Sequence, residues 1–424
     1  MIVRRKPKIF YGWYIVAAGA AVQLLGAALL NQSFGAYVVL LQRDLGWSKA
    51  SISGAISLLR FESGMMGPVD GWLIDRFGPR TVMRVGMVVF SVSFMLFSQV
   101  DSILAFYATF VILALGANLS GFLPLTVSVV NWFRRRRATA LATMQIGFAV
   151  GGLIVPVVIF FMESFGWRAT AFASGVLVLI IGLPLTQIVR HRPEDYGEVP
   201  DGGGAAVQEG QTPAYSNEIS FRPGEAVRTW AFWIISLGHG SALLVVSAVQ
   251  VHLIPHLHEH LGYSLEQAGL VVSLLAAVQI AGQQIGGFLG DRFSKRFIAT
   301  GCMGAHMVAL LLVAYAQSFP MVLAFTILHG LAWGMRGPLM QAIRADYFGP
   351  GSFGIIMGLS SLIVTFGNTS GPLLAGFLAD ATGSYETGFT ILALLAGAGS
   401  VFFLLATRPS PPRRLTVSWH SVTE

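Results

Sequence analysis

Gly71-Trp72-Leu73-Ile74-Asp75-Arg76-Phe77-Gly78-Pro79-Arg80 is written a second time in the other half of the chain, with small changes, as Gly287-Phe288-Leu289-Gly290-Asp291-Arg292-Phe293-Ser294-Lys295-Arg296. An apolar stretch runs into each copy and another leaves it. A glycine at the head lets two helix backbones approach closely. The Asp-Arg pair and the base that follows supply charge where a spanning helix meets the membrane surface. The rest of the chain can be placed relative to these two marks.

Hydrophobic residues make up 54% of the 424 and charged residues only 11%. A soluble domain carries roughly 25% charged residues, so a water-soluble fold is excluded. Twelve apolar runs can be counted, at about 13–41, 50–74, 81–100, 103–132, 138–162, 168–190, 229–255, 264–290, 297–317, 320–346, 353–379 and 384–407. Each is long enough to cross ~30 Å of hydrocarbon as a helix. Continuous apolar runs of this length exclude strands, so the fold class is an all-α integral membrane protein. The apolar stretch after Arg4-Arg5-Lys6 is too long for the ~7–15-residue core of a cleaved signal peptide. Cys302 stands alone in the ninth run, so it makes no internal disulfide and reads as a small buried residue.

The bases set the orientation. With both termini on one side, that side receives the N-terminal cluster, Arg76, Arg80 and Arg84, the run Arg134 to Arg137, the bases of the central join, Arg292, Lys295 and Arg296, Arg344 and the C-terminal arginines. The other side receives only Arg43, Lys49 and Arg168, while Arg60 and Arg336 fall inside helices. By the positive-inside rule both termini are cytoplasmic. The net charge of +7 therefore reports topology and contact with anionic lipid. The four consecutive arginines read as a loop anchor, and nucleic acid is not an expected partner.

Other features repeat at the same offset. Gly46-Trp47-Ser48 returns as Gly262-Tyr263-Ser264, and Pro156 returns as Pro372. Phe133 and Phe348 keep the offset to within one position. The chain reads as two parallel six-helix bundles, residues 1–190 and 229–408, with a tail at 409–424. Such parallel repeats are typical of secondary transporters with a central site. The join, 191–228, includes Gly202-Gly203-Gly204 with scattered acids, prolines and serines, a composition expected of a flexible cytoplasmic linker without a core.

Twelve spans, six plus six, with Gly-x-x-x-Asp-Arg-x-Gly-x-Arg after the second and a variant after the eighth, resemble the major facilitator superfamily over residues 10–408. Tyr11-Gly12-Trp13, Gly46-Trp47-Ser48 and Arg192-Pro193-Glu194-Asp195-Tyr196-Gly197 are similar to the monocarboxylate and oxalate–formate porters within it. The match to drug–proton antiporters is poorer. Leu113 stands where those relatives place an arginine three residues before the glycine, here Gly116, and Gly151-Gly152 precedes Pro156 without a Gly-Pro pair.

The resemblance implies a gating role for the repeated motif, with Gly71, Asp75, Arg76 and Arg80 acting on the start of helix eleven. It implies the same for Gly287, Asp291 and Arg292 on helix five. A carboxylate beside a helix N-terminus gains ~0.3–1 kcal/mol, enough to bias a two-state equilibrium and still break in each cycle. The competing reading is that these charges only hold topology.

An ionisable residue inside a span costs at least ~2.5–3.5 kcal/mol and needs a reason. Arg60 sits ten residues into helix two, at about 15 Å depth, and Glu62 lies roughly 200° around the helix from it. They read either as a structural ion-pair network or, for Glu62, as a proton carrier. His329, Trp333 and Arg336 follow at i, i+4 and i+7 on one stripe of helix ten. The resemblance implies that helices one, four, seven and ten line the cavity, which would turn this stripe toward substrate. Arg336 could then grip a carboxylate with two parallel hydrogen bonds, or pair with a neighbouring helix instead. A lone His329 could equally be a hydrogen-bonded core residue. Asn31, Gln32, Asn118 and His239 are the other polar residues on lining helices, and Gln279 and Gln283 lie one turn apart in helix eight.

His252 and His256 are one turn apart, as two zinc ligands would be. No third-ligand spacing accompanies them, so with His258 and His260 they read as an exposed polar loop, and neither metal nor cofactor is expected. Phe90, Phe94, Met95 and Phe97 read as lipid-facing or packing residues. No phosphate-binding loop, Ser-His-Asp set or metalloprotease motif is present, so the chain is read as no enzyme, powered by a gradient. The reading is a monomeric transporter of a small organic anion, a carboxylate, coupled to protons or to a counter-substrate, in a bacterial inner membrane. The alternatives are a proton-coupled exporter of amphipathic compounds and a membrane sensor that has lost transport. Asp75→Asn is expected to slow transport while leaving membrane insertion intact, and an unchanged rate in reconstituted vesicles would remove the gating role.

Overall fold

The computed structural model describes residues 9–47, 49–202, 219–412 and 414, without the side chains of residues 49–61 and 265. Among them there are helices and turns and no strand. Ten helices are long and apolar enough to cross a membrane: α1 (Gly12–Leu45), α3 (Pro79–Phe97), α4 (Ile103–Trp132), α5 (Arg137–Phe165), α6 (Trp167–Ile188), α7 (Trp230–Glu259), α8 (Leu265–Arg292), α9 (Lys295–Ala314), α11 (Phe353–Thr382) and α12 (Tyr385–Leu405). Two more, α2 (Lys49–Phe77) and α10 (Phe319–Phe348), reach 29 and 30 residues and carry the intramembrane charges singled out in the sequence.

The chain divides into two compact units, Met1–Ser63 with Trp72–Glu218 and Gly64–Gly71 with Ile219–Glu424. Each unit uses the same internal packing. In the first, α1 packs on α5 and α3 on both α4 and α6; in the second, α7 packs on α11 and α9 on both α10 and α12. The repeat in sequence is a repeat of helix pairing.

Glycine makes these crossings possible. In lipid no hydrophobic force drives one apolar helix onto another, and close backbone contact has to supply the attraction. Gly151 of α5 and Gly367 of α11 correspond under the offset of the repeat, and both sit at a crossing. A Cβ on Gly151 would press on Ala27 and Leu24 of α1, and one on Gly367 would collide with the Gly240 carbonyl of α7. The α8–α10 crossing has small residues four apart on both helices, Gly282 and Gly286 against Gly330 and Gly334. Within the second unit, Gly67 and Gly71 of α2 meet Gly358 and Gly354 of α11 in the same way. Gly71, the leading glycine of the motif's first copy, is thus a close-approach residue.

The motif itself is more helical than its sequence suggests. Gly71 to Phe77 continue α2, and the turn is Gly78 alone, whose φ of 80° suits glycine, followed by Pro79 at the first position of α3. In the second copy Phe293 and Ser294 are both extended, and they span the gap between α8 and α9.

Three expectations are corrected. Arg137, counted with the loop bases, is 2% exposed and donates from Nε to the Phe133 carbonyl at 2.9 Å and from Nη2 to Val130 at 3.3 Å. It closes the carbonyl end of α4, as a base at a helix C-terminus can. Arg344, also counted as a surface base, is buried inside the second unit. The join is not coreless along its length. The Asp201 carboxylate accepts from the backbone N–H of Arg134, Arg135 and Arg136, with 2.7 Å to Arg135. Arg190 stacks between Tyr11 and Tyr196 at 3.7 and 4.1 Å. On the other side Phe221 is buried with Phe232, Phe348 and Ile356, and its N–H donates to the Phe348 carbonyl at 2.8 Å. Arg414 binds Glu225 at 2.9 Å and thereby holds its carboxyl below the usual range. Residues 203–218, the part of the expected linker that includes Gly203 and Gly204, lie outside the described residues.

Gly334→Leu is expected to lower stability by about 3 kcal/mol, because overpacking falls on the α8 backbone at the Gln279 carbonyl. Gly301→Ala, which meets nothing within 4 Å, should stay within about 0.5 kcal/mol of wild type. Thermal melts in detergent compare the two, and a Gly334→Leu melt matching wild type would contradict this account of the crossing.

Candidate functional site

Each unit carries a polar cluster at spanning depth. In the first, a cavity of about 230 Å³ is lined by residues of all six helices, among them Gln23, Asn31, Ser63, Phe90, Asn118, Phe122 and Phe148. Asn118 is its hub: Nδ2 donates to Glu62 Oε2 at 2.9 Å and to Ser63 Oγ at 2.8 Å. A carboxylate at this depth needs donors, and the Asn118 amide of α4 supplies one to α2.

The backbone is broken where this cavity lies. α1 contains a π turn, Ala27–Asn31, closed by the Gln32 N–H to the Ala27 carbonyl at 2.9 Å. α4 is interrupted at Gly121, with φ −99° and ψ −124°, and α6 has a π turn at Val178–Gly182. Ala27, Asn31, Gly121 and Val178 all line the cavity. Irregular backbone inside a membrane is tolerated where it faces a cavity or protein, and π turns recur at functional sites. One extra residue in α1 also separates two neighbours that the sequence grouped together. Asn31 lines the cavity, while the Gln32 amide reaches the Phe148 carbonyl of α5 at 2.8 Å.

The second unit holds a larger buried network on α7, α9, α10 and α11. Arg344 donates from Nη1 to the Met340 carbonyl at 2.9 Å, and from Nη2 to Ser360 Oγ at 2.7 Å and His239 Nδ1 at 3.2 Å. A guanidinium is donor only, so His239 accepts at Nδ1 and carries its proton on Nε2. Ser360 also meets Ser236 at 2.8 Å. Two turns earlier on α10, Arg336 is 1% exposed, and its Nε and Nη1 have no hydrogen-bond partner among the described residues. His329 is buried too, but it is not alone: its Nδ1 lies 3.1 Å from Nδ1 of His306 on α9. Trp333 is half-buried, its ring 6.3 Å from that of His329.

The predicted residues therefore fall into two groups. Asn31, Asn118 and Glu62 gather in the first unit, and His239, His329, Trp333 and Arg336 in the second. Arg60 falls where side chains lie outside the described residues. Of the motif residues, Arg80 donates to Gln187 of α6 at 3.1 Å, Arg76 faces the Phe77 ring at 5.9 Å, and Arg292 lies over Phe288 at 3.5 Å. Asp75 and Asp291 occupy the last turns of α2 and α8. Phe90, Phe94 and Phe97 are buried packing residues.

Arg344 and His306 were missed as site residues. Arg344 is two residues from an acid near a helix end, which disguised it as a surface base. His306 had a usable signal, since an ionisable residue in mid-span calls for a partner. The histidines at the end of α7 also need correcting. His256 is 1% exposed under Tyr385 and Phe389, and donates from Nε2 to the Val313 carbonyl at 2.7 Å. His252 donates to Pro372 and His258 to Tyr263. Each of these rings is thus tied to a backbone carbonyl through one nitrogen, and among the described residues no group of three His, Cys, Asp or Glu is placed to hold a metal ion.

A family model described as Major Facilitator Superfamily matches residues 16–253 and 235–421. Monocarboxylate transporter 13 of Bos taurus is 24% identical over 419 residues, covering 96% of this chain and 93% of the relative. Monocarboxylate transporter 11 of Homo sapiens is 26% identical over 420 residues, covering 95% and 84%. A probable sulfoacetate transporter, SauU, of Cupriavidus necator is 24% identical over 401 residues, covering 88% and 90%. Among solved structures, the human organic anion transporter MFSD10 aligns with a TM-score of 0.70 at 16% identity, over 94% of this chain and 100% of that one. The fucose:proton symporter FucP of E. coli aligns with a TM-score of 0.70 at 14% identity, over 94% and 98%. At these identities the structural matches establish the fold alone.

Asn118→Ala leaves Glu62 and Ser63 without a partner they have here, and should destabilise the protein by about 1–3 kcal/mol. Gln32→Ala removes only an exposed contact and should cost less than about 1 kcal/mol. Thermal unfolding in detergent measures both, and equal melts would show that Asn118 is no hub.

Proposed function

This chain belongs to the Major Facilitator Superfamily, and on that premise we propose that it carries a small organic anion across the membrane by alternating access, with Arg336 as the anion-binding residue. The protein is an integral membrane transporter and not an enzyme. What carries the finer reading is the state of Arg336: fully desolvated, with Nε and Nη1 unfilled. Leaving buried donors unpaired is expensive, and a carboxylate taken up by the guanidinium would supply a charge-assisted acceptor, its bidentate grip engaging Nη2 together with either Nε or Nη1. Arg344 differs, because its donors are engaged with Met340, Ser360 and His239; it is assigned a supporting role.

The names of the relatives, for monocarboxylates and sulfoacetate, support the same substrate class. With no nucleotide-binding motif, transport draws on a proton gradient or on exchange. Asp75 and Asp291 are assigned to gating, and both termini to the cytoplasmic face of a bacterial inner membrane. The apolar lining of the first unit's cavity, with Phe90, Phe122 and Phe148, favours one competing reading, export of amphipathic compounds. A cationic or neutral substrate moved equally well by Arg336→Gln would establish that alternative, and ligand binding without counterflow would indicate a sensor.

Arg336→Gln is expected to reduce saturable uptake of small carboxylates about 100-fold with normal expression, the effect of losing a desolvated charge pair worth about 3 kcal/mol. A thermal-shift screen of two- to four-carbon carboxylates, followed by counterflow in liposomes, is the measurement. Undiminished affinity in the variant would refute the assignment.

A further inference from the structure

His306 and His329 face each other across α9 and α10 with Nδ1 3.1 Å from Nδ1 and ring centroids 4.5 Å apart, and both are fully buried. Two imidazole nitrogens at this distance form a hydrogen bond only when one bears a proton and the other does not. The neutral pair therefore holds one ring as Nδ1–H and the other as Nε2–H. The ring that donates at Nδ1 has a bare Nε2, and neither Nε2 has a hydrogen-bond partner among the described residues. The pair is thus a basic site with one vacancy, sealed from solvent in this conformation.

One added proton balances in a definite way. It binds the bare Nε2 and makes that ring an imidazolium, whose Nδ1–H then donates a charge-assisted bond to the other ring. Transfer of the shared proton across the Nδ1 contact moves the charge from one helix to the other. Loss of the proton from the second Nε2 restores a neutral pair with the tautomers exchanged. Such a relay can load from one direction and unload in another, which a single imidazole cannot do without turning.

The charged surroundings are sparse. On the same helices Cys302 is one turn from His306, and Arg336 is two turns from His329. α8 brings only Gln279, Gln283 and Gln284 to its inner stretch, and α12 has no titratable residue after Glu386. His239 of α7 is held by Arg344. Among the described residues, Arg336 is the charged side chain that acts on both rings. A second positive charge on the pair is opposed by that guanidinium while it is empty. An anion on Arg336 cancels the opposition, so anion and proton each favour the binding of the other, by reciprocal linkage.

We propose that the His306–His329 pair carries the coupled proton, one for each anion bound at Arg336, which makes the transporter a symporter. This rests on the reading of Arg336 as the anion site.

The test uses the full-length protein in proteoliposomes with radiolabelled lactate, pyruvate and acetate, each read as an initial rate above protein-free liposomes. Counterflow without a gradient reports binding and exchange; uptake under an acid-outside gradient of one pH unit reports coupling. His306→Gln and His329→Gln, which retain a polar planar side chain, are expected to keep counterflow within about twofold and to lose at least about tenfold of the gradient-driven rate, since one coupled proton is worth a factor of about ten per pH unit. Gradient-driven uptake within twofold of wild type in the double variant would overturn the proposal. Loss of counterflow in both single variants, with the protein still monodisperse, would make the pair structural and overturn it too. Absence of counterflow for all three acids in wild type would refute the carboxylate reading and the coupling with it. Counterflow lost in Arg336→Gln and kept in the histidine variants upholds the anion site, and gradient-driven uptake in the histidine variants then decides the coupling.

Discussion

Backbone-to-backbone contact at glycine is the interaction on which the helix packing depends. A hydrocarbon solvent is as apolar as leucine, so helices gain little by hiding apolar side chains from it. They gain by fitting closely, and a Cβ at Gly367 or Gly334 would hold the backbones apart. The crossings of α1 on α5 and α7 on α11 place such a glycine at equivalent points of the two repeats. Tight crossings also fix the rotation of each helix about its axis. That rotation decides which polar side chains turn inward.

Given fixed rotations, the polar groups inside each unit have few partners to choose from. The first unit gives a buried carboxylate an amide donor, Asn118 to Glu62, and breaks the regular helix around the cavity beside them. The second engages both terminal nitrogens of one arginine, Arg344, and leaves two donors of another, Arg336, without a partner among the described residues, in a layer that contains two paired histidines. The contrast between two desolvated guanidiniums on one helix is informative. A structural arginine is expected to look like Arg344, with donors on fixed neutral acceptors, whereas Nε and Nη1 of Arg336 have no acceptor among the described residues.

The central join shows a related division. Asp201 binds the backbone amides of the turn that leads into α5, and Phe221 fills an apolar cluster beside α7 and α10. Both ends of the segment are therefore parts of the units they adjoin. Low hydrophobicity averaged over the join concealed two anchor points, each a single residue.

Composition and periodicity alone determined the helical class, the number of spans and the doubling of the chain, because the length of an apolar run and the spacing of a repeat are properties of the chain's order. They also marked Arg336, since a charge in a long apolar stretch is visible without coordinates. Tertiary structure decided what each such group meets. That Arg344 turns inward, that Asn31 and Gln32 part company at a π turn, and that His329 has a partner 23 positions away on another helix all depend on helix rotation and crossing. Those are set by contacts between residues distant in sequence, and no local pattern records them.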